Sequence, residues 1–487
     1  MDKTSLSGLD NFYLQIEKAW KLKTLSSVWI FDERLDSGFL HQTLDWLCDT
    51  YPKYASVPAH GSMFHTALWT RPIGWQPKMN IEHYRLKTPT REALEEYIAD
   101  KIARPFIYSK PLWELHAISG LEGDRVAFLW KAHCCLGNVQ HVLDQLLQNN
   151  SKQQRHSNNT IPFSESASPL VPLPIPDHVW ALFPSRLQGI TMSIWHVLSW
   201  IYCVWITVWH DMWIILYCLF LPRSMHRDFY YKGQQTASKQ VAWSSSIRYK
   251  DIKNVNYFLS GGRTPASSSA MDIIVLVISR CIKGYLDDMN IRHDDYLRLF
   301  VPMNAASSHH KRSRVTSGSW GWFSIQDDMS TYRQLEQIQS QMKALQSSPL
   351  SFQHVLMRLL KYLPGFLMPF QSIVERVNDI PHGIIVDYID TTSVDAKGKV
   401  SNPLEFGGNV ISELRMIPPQ LGKGSLAIGL SCFQGNVSIA VLADNHPRYP
   451  RLSHSICERF PSEFQLLMRQ VSMTASRPPS SFGSHDE

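Results

Sequence analysis

The chain has 487 residues, 44% hydrophobic and 18% charged, which is enough apolar mass for two linked cores and excludes a disordered or fibrous protein. A formal charge of +6, from 48 Lys plus Arg against 42 Asp plus Glu, is too small an excess to make nucleic acid the main partner. Eight cysteines without a C-x-x-C pair give neither a disulfide framework nor a zinc knuckle, so they read as reduced thiols in a cytosolic setting.

The first thirty residues mix Asp2, Lys3, Asp10, Glu17 and Lys18 with apolar residues and hold no signal-peptide core. Residues 1–150 read as a first lobe of alternating helical and strand patterns. Phe12, Tyr13 and Ile16 are spaced as on a helix, and a charge-rich helix is expected from Thr90 to Ala103. Leu115–Ile118 and Val126–Ala132 read as strands joined by a turn holding Gly120, Glu122, Gly123 and Asp124. Val139, Val142, Leu143, Leu146 and Leu147 then fall at helical spacing, with Asn138 at the N-cap position, so His133 to Gly137 is expected to be a strand-to-helix junction.

Residues 151–189 form a linker rich in Ser, Asn, Gln and Pro, in which Pro169, Pro172, Pro174 and Pro176 keep the chain extended. Residues 190–222 are an apolar segment. Between Ile194 and Leu221 only His196, His210 and Asp211 are strongly polar, and Trp205, Trp209 and Trp213 share one helical face. His210 and Asp211 would sit inside a single membrane span, at about 2.5–3.5 kcal/mol for the acid. Basic residues lie on both sides, Arg186 before and Arg223, Arg227 and Lys232 after. The segment is therefore expected to anchor the chain as a hairpin or interfacial helix, with a pair of buried helices as the alternative. A second lobe is expected over 235–470, with its clearest hairpin at Ser425–Phe433 and Val437–Leu442 around Gln434, Gly435 and Asn436. Residues 474–487 read as a disordered Ser/Pro tail.

Several short blocks then resemble one family in order along the chain. They are Leu6-Ser7-Gly8-Leu9-Asp10, Lys110-Pro111-Leu112-Trp113-Glu114-Leu115-His116, Lys131-Ala132-His133 and Val241-Ala242-Trp243. Leu299-Phe300-Val301-Pro302-Met303-Asn304, Asn402-Pro403-Leu404-Glu405-Phe406-Gly407-Gly408 and Ala443-Asp444 complete the set. Together they resemble the wax ester synthase/diacylglycerol acyltransferase family. The resemblance implies an α/β protein of two CoA-dependent acyltransferase-like lobes, mixed sheets with helices, and a central channel between them. It also implies acyl transfer from acyl-CoA, a co-substrate with no other cofactor or metal, to the hydroxyl of a diacylglycerol or long-chain alcohol. By the substrate class, the expected location is the cytosolic face of the endoplasmic reticulum or a lipid droplet.

The family's H-H-x-x-x-D-G motif, whose second His is the base, is degraded here. Its positions hold His133, Cys134, Asn138 and Val139. A thiol with its ordinary pKa needs a nearby cation to act as thiolate, and otherwise packs as a small hydrophobe. Asn138 suits an N-cap without any chemistry, and His133 suits a buried hydrogen-bonded role. The family's Asn-Asp pair at the substrate channel appears as Met271-Asp272, and its N-V-x-G-P segment is not recognisable in residues 390–399. His41 with Asp45 repeats the H-x-x-x-D spacing by chance, and His309, His310, Lys311, Arg312 and Arg314 read as a solvated basic loop, with steering of CoA phosphates as the alternative. Two functions follow: an O-acyltransferase making triacylglycerol or wax ester at a membrane, or a pseudoenzyme that binds lipid or serves as a scaffold.

Overall fold

The computed structural model describes residues 4–6, 10–11, 13–14, 17, 22–33, 37–59, 68–136, 194, 198, 201, 205, 209, 212–213, 238–259, 270–291, 293, 296–304, 316–325, 330–347, 383–389, 393–394, 400–401, 405–406, 409–420 and 426–475. The linker 151–189 lies outside them, as does the expected tail apart from Thr474 and Ala475, which end a helix.

In chain order the first lobe comprises β1 (Thr24–Phe31), α1 (Ser37–Thr50), β2 (Ile81–Arg85), α2 (Arg91–Ala103), β3 (Trp113–Ser119) and β4 (Val126–His133). The second comprises β5 (Lys239–Trp243), α3 (Tyr249–Leu259), α4 (Ala270–Asp288), β6 (Tyr296–Asn304), β7 (Thr316–Ser324), α5 (Thr331–Ser347) and β8 (Gly383–Ile389). It continues through β9 (Glu405–Phe406), β10 (Asn409–Ile417), β11 (Ala427–Phe433), β12 (Asn436–Asp444) and α6 (Leu452–Ala475). The larger two sheets run β9-β10-β1-β4-β3-β2 and β7-β6-β8-β11-β12-β5. Both are mixed: β2 is parallel to β3, and β8 is parallel to β6 and β11, while the other neighbours are antiparallel. The expected two-lobe mixed α/β architecture is the one observed.

β4 sets the first lobe. All eight of its residues are buried, because both faces of this central strand are covered. Trp130 stacks between Trp113 (5.3 Å), Tyr54 (6.1 Å) and Trp29 (6.4 Å) on one face. Trp113 donates its indole N–H to the Tyr54 carbonyl at 2.7 Å, so the polar handle of the ring is satisfied within the core. On the other face Ala127 and Leu129 join a cluster with Leu94, Ile98 and Ile102 of α2 and Val241, Trp243, Ala440 and Leu442 of the second sheet. Despite its charges, α2 is thus an inter-lobe helix. Thr90 caps it by accepting from the Ala93 N–H at 3.3 Å, and Glu92 and Lys101 complement its dipole.

The limits 1–150 and 235–470 divide the chain but not the sheets. β10, from the second stretch, pairs with β1 along Ile411–Ile417 and extends the first sheet. It also packs on β11: Met416 N–H donates to Ser431 Oγ at 3.2 Å. At the crossing, a Cβ on Gly429 would lie 1.7 Å from the Met416 carbonyl oxygen and 3.1 Å from Pro418 Cδ. Both obstacles are backbone or ring atoms that cannot swing away.

Gly429→Ala is therefore expected to destabilise the chain by at least about 3 kcal/mol, the upper end of ordinary overpacking. Gly74→Ala, with open space around it but φ of +74°, should cost only about 1 kcal/mol from strain. Denaturant unfolding of both variants decides, and equal losses would show that the close approach is not tight.

Candidate active site

β4 ends at His133, and the chain turns at once through a short 3-10 turn, Cys134–Leu136. Of the expected strand-to-helix junction the strand end and a turn are described, and the helix expected from Val139 lies outside the described residues. Gly137, Asn138 and Val139 lie outside the described residues, as does the N-cap expected of Asn138. Backbone bonds pin the junction to neighbouring segments: His133 N–H donates to the Leu112 carbonyl at 2.9 Å and Cys134 N–H to the Lys23 carbonyl at 2.8 Å.

His133 is fully buried. Its Nδ1 accepts the Cys135 backbone N–H at 3.0 Å, which fixes the ring proton on Nε2 by elimination. Nε2 faces Glu17 Oε1 at 3.3 Å, an electrostatic contact outside good hydrogen-bond alignment. Glu17 also accepts from Tyr108 OH and from the Lys23 N–H. Burial alone would push the Glu17 carboxyl up, yet its contacts with His133, Tyr108 and the Lys23 N–H hold it below its ordinary range. No basic nitrogen of His133 is therefore left over for a substrate proton.

Cys134 keeps part of its surface exposed, but its thiol lies deep enough that burial pushes it up to about 12. Lys23 pulls in the opposite direction and loses. The cation that a reactive thiol would need is thus present, and desolvation outweighs it.

A second buried group of charges lies along the same strands. Lys131 Nζ, fully buried, donates to the Arg104 carbonyl (2.7 Å) and to Glu114 (3.2 Å) and sits 4.3 Å over the Phe106 ring. Glu114 Oε2 is 3.4 Å from His116 Nε2, and His116 Nδ1 meets Tyr97 OH at 3.1 Å and Glu82 at 3.4 Å. Phe106 also lies 6.2 Å from the His133 ring. Glu114 and Lys131 are direct register partners, a pairing that the strands read from the sequence, Leu115–Ile118 and Val126–Ala132, did not include. Glu17, Tyr108 and Lys23 carried no signal either, since the helical spacing of Phe12, Tyr13 and Ile16 does not tell what Glu17 meets.

The other candidates lie elsewhere. Met271 and Asp272 are buried in the first turn of α4, and Met271 belongs to the second lobe's core rather than to the surroundings of Cys134. His41 and Asp45 are exposed on α1, as expected of a chance spacing. The basic loop at 309–314 is outside the described residues. Among the described residues no group of three or more potential metal ligands converges.

With the thiol at about 12 rather than its ordinary 9.0, Cys134 should hold about a thousandth of the usual thiolate at neutral pH. Its alkylation by iodoacetamide should be about 10³-fold slower than that of a free thiol and should climb about tenfold per pH unit well beyond pH 9. Peptide mapping of the alkylated chain measures this, and rapid labelling at pH 7 would mean an activated thiol.

Residues 6–193 match the family model described as the wax ester synthase/diacylglycerol acyltransferase catalytic domain. A probable diacylglycerol O-acyltransferase of Mycobacterium tuberculosis is 47% identical over 47 residues, a stretch covering 10% of this chain and only 17% of that relative. Among solved structures, the wax ester synthase/diacylglycerol acyltransferase of Marinobacter aquaeolei VT8 superposes with a TM-score of 0.56 at 14% identity, covering 97% of this chain and 100% of that one. The first condensation domain of the calcium-dependent antibiotic synthetase gives 0.53 at 13% identity over 96% and 97% of the two chains. The cyclization-docking bidomain of EpoB from Sorangium cellulosum gives 0.52 at 13%, over 96% and 84%. At these identities the solved structures speak for the fold alone. The resemblance read from short blocks holds: residues 6–193 are similar to the catalytic domain of the wax ester synthase/diacylglycerol acyltransferase family, on the two-lobe fold that its solved member shares with condensation domains.

Proposed function

We propose that the chain transfers a fatty acyl group from acyl-CoA to the hydroxyl of a diacylglycerol or a long-chain alcohol, forming a neutral lipid ester. The observation that carries this reading is the catalytic-domain match over residues 6–193, which runs through the His133–Cys134 junction. In the reaction the alcohol oxygen attacks the thioester carbonyl, a C–O bond replaces the C–S bond, and the hydroxyl proton passes to the CoA thiolate. His133 is engaged at both nitrogens and Cys134 is held protonated, so on this reading catalysis rests on positioning of the two substrates more than on a side-chain base.

The same observation favours a second reading, a lipid-binding pseudoenzyme on the acyltransferase fold. Incubation of the purified chain with labelled acyl-CoA and a panel of alcohols and diacylglycerol separates the two. Slow transfer is expected from the natural chain, unchanged in Cys134→Ala. Restoring the motif by Cys134→His, Asn138→Asp and Val139→Gly should raise transfer at least roughly tenfold, a cautious share of the 10²–10⁴ typical of general-base catalysis. No ester from either form would leave the pseudoenzyme reading.

The setting proposed for this function is a membrane surface, at the cytosolic face of the endoplasmic reticulum or a lipid droplet. Support comes from residues 194–213, where Ile194, Leu198, Ile201, Trp205, Trp209, Met212 and Trp213 are helical and between 43% and 67% exposed. Their spacing of three and four places them on one side of a helix, and Trp205 and Trp209 stack at 6.4 Å. Among the described residues no helix is long and apolar enough to cross a membrane. The exposed tryptophans on one helical side favour the interfacial form of the anchor over the hairpin. Replacing Trp205, Trp209 and Trp213 together by Ala should lower binding to phospholipid vesicles by at least roughly tenfold. A flotation assay measures it, and unchanged flotation would overturn the interfacial seat.

A further inference from the structure

A cavity of about 350 Å³ opens at the seam between the lobes, lined among others by Arg91 at the start of α2, Ser244, Ser245 and Ser246 after β5, and Glu413 and Arg415 of β10. It is not part of the His133 junction. Thr24 of β1 pairs with His133, whereas Ile30, six residues further along, accepts from Ser412 Oγ beside the cavity. Six strand residues separate the two places by about 20 Å. The length of α2 gives the same figure, since Arg91 reaches the cavity while the Arg104 carbonyl just past its other end holds Lys131.

The lining carries two guanidiniums and one carboxylate. Arg415, with its side chain 8% exposed, donates through Nη1 to the Leu414 carbonyl (3.1 Å) and Ser438 Oγ (3.0 Å), and through Nη2 to Glu413 (2.8 Å). Its Nε is buried without a hydrogen-bond partner, a costly arrangement for a guanidinium. Ser244 is buried too. Its Oγ accepts the Ile439 N–H at 3.0 Å, and the hydroxyl proton finds no acceptor among the described residues. Arg91 rests 5.2 Å over Trp243 and donates to Glu95 at 2.9 Å, with its side chain still 44% exposed. Glu413, the acid of the lining, is already shared between Arg415 and Arg125. Two guanidiniums thus face a volume whose one carboxylate is taken.

We propose that this cavity binds a phosphate group and part of the molecule that carries it. Donors reach it from three separate segments: Arg91 on α2, Ser244 to Ser246 after β5, and Arg415 on β10. That divergence suits a tetrahedral anion with three or more acceptor oxygens better than a planar carboxylate. A volume at the lower end of ligand sites leaves room beyond the phosphate itself. The phosphate is that of a coenzyme such as CoA or a free one. The inference does not require acyl transfer at His133, and only the CoA source would tie it to the proposed function.

Titration calorimetry on the full chain with inorganic pyrophosphate, CoA and phosphate-free pantetheine tests the site. Saturable binding of pyrophosphate or CoA, but not of pantetheine, is expected. Competition between pyrophosphate and CoA identifies the coenzyme as the source, and pyrophosphate binding without CoA binding identifies a free phosphate. Ser244→Ala and Arg91→Gln should each weaken binding by about tenfold. Arg415→Lys, which keeps the charge and loses Nε and the fork, should weaken it at least as much. Thermal unfolding reports whether each variant folds, and Ser244→Ala decides should Arg415→Lys fail. Absence of saturable binding, equal binding of pantetheine and CoA, or binding indifferent to the folded variants would each overturn the proposal, whatever the ester assay shows.

Discussion

Two sheets meet backbone to backbone where Met416 of β10 crosses Gly429 of β11, and the inter-lobe geometry depends on that contact. A strand drawn from the second half of the sequence completes the first sheet through β1 and, one residue from its end, touches the second sheet without any side chain between them. Because the approach leaves no room for a Cβ, the spacing of the sheets is fixed by main-chain atoms and not by rotamers. Everything that spans the seam inherits that spacing. Trp243 N–H reaches Glu95 on α2 at 3.2 Å, His454 on α6 lies 3.2 Å from the same carboxylate, and Gln420 just beyond β10 accepts from Lys239, itself paired with Asp444 within the second sheet. A looser crossing would separate these partners first, and buried charges without partners are among the costliest defects a fold can carry.

The same rigidity explains how the His133 junction is held. The strand end is fixed from three sides by the carbonyls of Leu112 and Lys23 and by Glu17. Satisfying buried His133 consumes the properties that would make it a base. The Nδ1 lone pair is spent on the Cys135 N–H, and the Nε2 proton points at a carboxylate. The arrangement orders the turn after β4 at the position where the resemblance to the family motif begins.

Much of the fold was legible in the sequence wherever a period had a boundary signal. Thr90 before a helical run, the Gly-rich turn before Val126 and the Gln434-Gly435 turn between two apolar strands each mark an end, and the elements lie where those marks put them. β10 was not read as a strand, because its run lacks a clean alternation, exposed or half-buried through Glu413 except at Ile411 and buried from Leu414 on, and so carries no label for its partner. Its contact with Gly429 is equally silent in sequence, since a glycine required by close approach reads like any other. At the candidate site, His133 and Cys134 were found through the motif. Glu17, Tyr108 and the Glu114–Lys131 pair were not, being brought together by tertiary packing and sheet register that no local spacing announces. The tryptophans divide along the same line: Trp29, Trp113 and Trp130 build the first core, while Trp205, Trp209 and Trp213 stay exposed on a helix.

Cys134 and the seam cavity show one rule acting in opposite directions. At Cys134, burial and a nearby lysine compete over a small group with a single proton, and burial prevails because the thiol can stay neutral at no cost. At Arg415 burial also pulls on the charge, Glu413 supports it and Arg91 opposes it, but a guanidinium cannot lose its proton near neutral pH. A buried thiol answers desolvation by becoming inert. A buried guanidinium answers it by demanding acceptors, and Glu413, Leu414 and Ser438 meet part of that demand while Nε goes unmet. The cavity is therefore lined by a permanent cation whose demand its neighbours meet only in part, and that sign attracts an anion.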